Sequence, residues 1–123
     1  GMDTAFDLNG IQVVYAAIGD DYVSKSLAER VSNAQYLVVQ ACYESKLTEQ
    51  ADVILPVTIW AEQEGHYINL DGRIQTAHKS INAPESVREN LAVLNEIAAN
   101  AKMTLNSDWQ KAILGRKSSV SLN

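Results

Sequence analysis

The chain has 123 residues, 46% hydrophobic and 20% charged, enough for one small domain with a buried core. A formal charge of −5 argues against nucleic acid and anionic membrane surfaces, both of which call for a basic face. No stretch approaches the roughly 18 consecutive apolar residues of a membrane span, and one cysteine, Cys42, excludes an internal disulfide or a cysteine-built metal site.

The N-terminus lacks the basic-then-apolar design of a signal peptide, so the expected setting is reducing and cytoplasmic. Gly1-Met2 reads as a tag remnant before a start codon or, equally, as part of an internal excerpt. Residues 1–9 are therefore set aside as an N-terminal arm, residues 10–114 form the expected domain, and 115–123 form a Ser/Lys-rich flexible tail.

Three short apolar runs alternate with helical patterns, as in βαβ units on a parallel sheet. The first run, Ile11 to Ile18, is nearly continuous, as in a strand covered on both faces. Asp20 or Asp21 then caps a predicted helix through about Asn33, with Val23, Leu27, Ala28 and Val31 at helical spacing. A second strand spans Tyr36 to Ala41. A helical turn at Thr48-Glu49-Gln50-Ala51 leads to a third strand, Asp52 to Leu55, which Pro56 stops because it has no N–H to donate.

From Glu62 to Gln75, Gly and Asn residues predict an ordered loop with hairpin-like pieces. Ser86-Val87-Arg88-Glu89 has capping-box spacing, and Val87, Leu91, Leu94, Ala98 and Ala101 form one apolar stripe of a helix after Pro84. Ser107 to Gln110 repeats the cap before a short helix with Trp109, Ile113 and Leu114. Trp60 and Trp109 are expected core anchors. The architecture expected is a small, single, three-layer α/β domain on a doubly wound, mainly parallel sheet of Rossmann-like form.

Such a sheet gathers the loops after its strands at the carboxyl edge, where these folds bind ligands. Those loops are Gly19-Asp21, Ala41-Ser45 and the segment after Pro56. Gly19-Asp20-Asp21 precedes a helix, but two aspartates repel a phosphate, and neither GxGxxG nor a Walker pattern is present. A helix cap is the better reading. Cys42 at this edge reads as a small apolar side chain, and His66 and His78 lack metal-ligand spacing. No metal site and no catalytic residue is expected.

The densest signal is Ala51-Asp52-Val53-Ile54-Leu55-Pro56, followed by the segment from Trp60 to Gln75 with Glu62, Gln63, Glu64, Gly65, Asn69, Asp71, Gly72 and Arg73. Glu62 and Arg73 suit a charge-assisted pair that pins the loop, and Gly65 and Gly72 suit turn conformations closed to other residues. Glu62, Gly65, Asn69, Gly72 and Arg73 are read as loop architecture rather than acid–base machinery.

This signature resembles the molybdopterin oxidoreductase superfamily. Within it, the strongest likeness is to the large iron–sulfur (G) subunit of NADH-quinone oxidoreductases, with nitrate reductases and formate dehydrogenases further off. The resemblance covers 10–75 well and extends loosely to about 105. It implies the third, Rossmann-like domain of a larger subunit, working with other domains or subunits of a redox complex, at the cytoplasmic face of a membrane-bound assembly and without inserting in the membrane. The resemblance implies no cofactor bound by this chain alone, with molybdopterin guanine dinucleotide held by some intact relatives, whereas G subunits commonly keep the fold without it.

By that resemblance the cofactor-facing positions are Gly19, Asp20, Gln40, Ala41 and Gln63. Ala41 stands where the family's Val-Val-x-Asp pattern has an acid able to accept the guanine N–H groups, and Gln63 where nitrate-reductase relatives carry lysine. A guanine edge left unpaired at Ala41 costs roughly 1–3 kcal/mol. The expectation is a structural domain with a degenerate site that binds no cofactor alone. The alternatives are a guanine-dinucleotide-binding domain of an active formate dehydrogenase or nitrate reductase type, or a stand-alone binding or assembly module.

Overall fold

The computed structural model describes residues 8, 10–69 and 73–105. It divides into two compact units between Ile59 and Trp60.

The first unit is a parallel sheet of β1 (Val13–Gly19), β2 (Tyr36–Ala41) and β3 (Val53–Pro56), with α1 (Lys25–Val31) between the first two and a 3-10 turn at Thr48–Gln50 between the last two. The strand order is β1-β2-β3, so the winding runs in one direction among the described residues. A mixed α/β fold with a parallel sheet is what the alternating apolar runs predict. The β2 bounds match the expected ones, and β1 and β3 each lie slightly later.

Register does the positioning. Val13 pairs with Tyr36 and so on to Ala17 with Gln40; an irregularity then brings Gly19 opposite Ala41, and Ala41 opposite Pro56. The three strand ends thus form one row. Asp52, of the Ala51–Pro56 motif, clamps the other end: its N–H donates to Leu37 O at 2.9 Å, and its Oδ2 accepts from Leu37 N at 2.7 Å. A carboxylate accepting a backbone N–H makes a charge-assisted bond, stronger than a neutral one.

Alternation along the strands sends Val14, Ala16 and Ile18, with Leu37, Val39 and Ala41, toward one face. There they pack with Leu27 and Val31 of α1 and with buried Leu47. On the other face Val13 is 61% exposed, whereas Gln40 is only 1% exposed. Gln40 tolerates burial because its Oε1 accepts from the Tyr15 hydroxyl, one diagonal step along the neighbouring strand. Partial burial pushes the Tyr15 phenol above its ordinary pKa.

The start of α1 differs from expectation. Gly19 adopts a left-handed φ of 62°, and Asp21 N donates to Ile18 O, closing a turn. The chain then stays extended to Ser24, whose Oγ accepts from Leu27 N at 3.2 Å. Ser24 is therefore the cap, not Asp20 or Asp21, because only after the turn does the backbone enter helical dihedrals.

The second unit contains a 3-10 turn at Trp60–Glu62, an antiparallel hairpin of β4 (Gly65–Ile68) and β5 (Ile74–Ala77), and α2 (Asn90–Asn100). The N–H groups of Ser80 and Ile81 both donate to Ala61 O, tying the exit of the hairpin to its entrance. The expected helix start at Ser86 is corrected. Val87 N donates to Pro84 O, so Ser86 lies inside a turn, and Glu89 is extended at ψ 142° before the helix begins. The later start leaves Val87 outside the helix, and of the expected stripe Ala98 is buried, with Val93 beside it, while Leu91 is 60% exposed. Trp60, expected as a core anchor, is 57% exposed where it opens the 3-10 turn. The helix read at 107–114, Trp109 and the tail lie outside the described residues.

Two measurements check these assignments. Ser24→Ala should lower stability to urea by about 1 kcal/mol, the usual loss of a cap, whereas Asp21→Ala should change it by less than half as much. Tyr15, whose folded pKa lies above its ordinary 10.0, contributes stability that is complete below about pH 10 and is lost as pH rises through the folded value. Unfolding followed across that alkaline window should show the fall in wild type, and Tyr15→Phe should flatten it.

Candidate functional site

The row of strand ends opens into a groove of about 640 Å³ that lies wholly within the first unit. It is lined by the end of β2 at Ala41 and by two segments, one from Ile18 to Val23 with Lys25, the other from Tyr43 to Lys46. The left-handed Gly19 lets the first wall turn away from the sheet, while Cys42 N, donating to Gly19 O at 2.9 Å, ties it to the end of β2.

The second wall is held by a reciprocal pair. Ser45 N donates to Thr48 Oγ1 at 2.8 Å, Thr48 N donates to Ser45 Oγ at 3.3 Å, and Thr48 Oγ1 donates to Ser45 O at 2.9 Å. Thr48 is buried, so this wall is anchored from below. The Ser-x-x-Thr spacing at 45–48 is a visible capping signal that reasoning from the motif alone passes over.

Lys25 lies 3.7 Å from Glu29 and Lys46 lies 2.6 Å from Glu49, and neither glutamate lines the groove. Asp20, Asp21 and Glu44 supply three carboxylates to the same lining. Helix α1 has only seven residues, and the N–H of Leu27 is already taken by Ser24.

Of the positions singled out from sequence, the structure brings Gly19, Asp20 and Ala41 together in the lining. Gln40 is not among them. Neighbouring strand residues point to opposite faces, so with Ala41 toward the groove Gln40 is buried behind the sheet against Tyr15. Gln63 belongs to the second unit, where its Oε1 accepts from Asn90 Nδ2 at 3.3 Å. The Cys42 thiol, partly buried, donates to Thr58 O at 3.1 Å within the first unit.

In the second unit the hairpin turn is closed by Asn69, whose N–H donates to Arg73 O at 3.0 Å and whose Oδ1 accepts from Arg73 N at 2.9 Å. The backbone of Arg73, not its guanidinium, makes those bonds. Glu62 lies in the preceding 3-10 turn, and Gly72 lies outside the described residues. Gly65 is not left-handed as expected. Its role is close approach: a Cβ there would sit 3.3 Å from the Tyr67 ring. Exposed His78 lies 3.7 Å from Glu64 across the open end of the hairpin. Among the described residues no group of three or more His, Cys, Asp or Glu side chains converges as a metal site, and no helix is long and apolar enough to cross a membrane.

The model of the molybdopterin oxidoreductase family matches residues 2–100. Among curated proteins, the G subunit of the NADH-quinone oxidoreductase of Rickettsia prowazekii (strain Madrid E) is 30% identical over 108 residues, 88% of this chain and 15% of its own. The F420-dependent formate dehydrogenase subunit alpha of Methanocaldococcus jannaschii is 30% identical over 74 residues, covering 60% of this chain and 11% of its own. The assimilatory nitrate reductase of Haloferax mediterranei is 33% identical over 72 residues, 58% of this chain and 10% of that protein. The chain thus spans about a seventh or less of the length of these relatives. A parallel βαβ core ending in a carboxyl-edge groove and a family match over 2–100 together place this chain in the molybdopterin oxidoreductase family.

Proposed function

We propose that the chain is a structural α/β domain of a protein like the G subunit of NADH-quinone oxidoreductase, with a groove that no longer holds molybdopterin guanine dinucleotide. One observation carries this reading. Ala41 lines the groove at the end of β2, where it offers no acceptor to a guanine edge, and the adjoining walls carry Asp20, Asp21 and Glu44.

The fit to the dinucleotide fails on two physical counts. A buried guanine edge needs an acceptor for its N1–H and exocyclic amine, and a methyl group leaves them unsatisfied. A pyrophosphate needs N–H donors or cations, and it meets three carboxylates and two lysines that each have a glutamate partner. No chemical step is therefore assigned to a cofactor in this groove.

In this reading the domain contributes packing surface to other domains or subunits of a redox complex, which supply the electron carriers. The hairpin of the second unit is its loop architecture: Gly65 admits the Tyr67 ring, and Asn69 closes the turn. Its setting is the cytoplasmic side of such an assembly.

Calorimetric titration with purified molybdopterin guanine dinucleotide tests the proposal. The expected result is no saturable heat up to about 100 μM ligand. Binding with a dissociation constant on the order of 1 μM, roughly −8 kcal/mol, would overturn it.

A further inference from the structure

We infer that β1 is a pairing edge for a second copy of this chain, with the two strands antiparallel about a two-fold axis at Ala16. The inference stands apart from the question of the nucleotide, since Val13 to Ala17 are not among the residues that line the groove.

Among the described residues β1 pairs with β2 alone, so it forms one edge of the sheet. Tyr36 stands opposite Val13, and its N–H donates to Gln12 O at 3.0 Å. In a parallel ladder a residue so placed bonds to the two neighbours of its partner, here Gln12 and Val14. Successive strand residues turn their backbone groups to alternate sides, so Val14 and Ala16 turn theirs toward β2. The N–H and C=O groups of Val13, Tyr15 and Ala17 consequently face the open edge. Edge strands are ordinarily guarded by charge, proline or a covering element, and Val13–Gly19 carries neither charge nor proline. The side chains of Val13, Tyr15 and Ala17 are exposed as well.

The order of side chains along β1 names the occupant, because the strand is complementary to itself. About a two-fold at Ala16, antiparallel pairing sets Tyr15 opposite Ala17 of the second copy, and Ala17 opposite its Tyr15. Both residues turn their N–H and C=O outward, so each such pair exchanges both of its backbone hydrogen bonds. Each ring then lies beside a methyl group rather than against a second ring. On the other face Val14 meets Ile18 around the two Ala16 residues, extending the apolar layer that packs on α1. Antiparallel order also places the Asp20-Asp21 turns of the two copies at opposite ends, so these acids do not confront each other. The irregularity between Ala17 and Gly19 bounds the pairing at its carboxyl end. Such a contact is isologous and closes at two copies.

Sedimentation equilibrium of the full chain, from about 10 μM to about 1 mM, tests the pairing, and a reversible monomer–dimer equilibrium is expected. Hydrogen exchange at the Tyr15 and Ala17 amides should slow as the dimer fills, while that at Val14 and Ala16 stays unchanged. Ala17→Pro removes one outward N–H from each copy and should weaken the dimer about thirtyfold, for two hydrogen bonds lost by symmetry. Ala17→Lys guards the edge with charge and should weaken it about tenfold. Because Ala17→Lys keeps every backbone donor, it decides the matter even where the proline variant fails to fold. Ile81→Lys, at an exposed apolar position of the second unit, should leave the equilibrium as it is. A chain monomeric throughout, a dimer that survives Ala17→Lys, or equal weakening by Ile81→Lys would overturn the inference. Slow exchange at Tyr15 and Ala17 in the monomer would overturn it too, since the edge would then be closed within one chain.

Discussion

The parallel pairing of β1, β2 and β3 is the constraint from which the rest follows. Its register aligns Gly19, Ala41 and Pro56 in one row, so the chain must leave all three strands at the same edge. Parallel strands require crossovers, and here α1 and the Thr48–Gln50 turn supply them. The groove is the space left between two such departures. Asp52 secures the opposite end by bonding both the N–H and the C=O of Leu37, which prevents β3 from slipping along β2. A one-residue slip would exchange Ala41 for a neighbour on the other face.

Much of this is legible in the residues. Near-continuous apolar runs mark the strands, and the expected bounds of Tyr36 to Ala41 agree with the observed ones because both ends carry plain signals. Helix starts are harder. At α1 the spacing points to Asp20 or Asp21, and the left-handed turn at Gly19 defers the helix start to Ser24. At α2, a capping-box spacing at Ser86 competes with a turn initiated at Pro84, and the turn prevails. Local spacing fixes which residues are able to cap; the path of the preceding backbone fixes which one does.

The candidate site is legible in part for a related reason. Loops after strands mark the binding edge, and Gly19, Asp20 and Ala41 do line it. Adjacency in the motif groups Gln40 with Ala41, yet a period of two sends them to opposite faces. Resemblance groups Gln63 with both, and it lies in the other compact unit, bonded to Asn90. The anchoring role of Thr48 depends on a hydroxyl reaching back three residues, a feature that apolar patterning does not reveal.

Different residues hold this sheet together and line its groove. Val39 and Leu47, fully buried, and the Asp52 clamp maintain the sheet and are not themselves among the residues that line the groove. Side chains on the rim, by contrast, make few contacts that the core requires, so exchanging them changes the electrostatic character of the opening at little cost in stability. Ala41 sits between these classes. It packs in the core and also lines the groove, and a methyl group is compatible with both. An ionised carboxylate at that position would need N–H donors to offset its desolvation, and a guanine edge can supply them. Without that partner, alanine is the residue that leaves neither a buried charge nor a void.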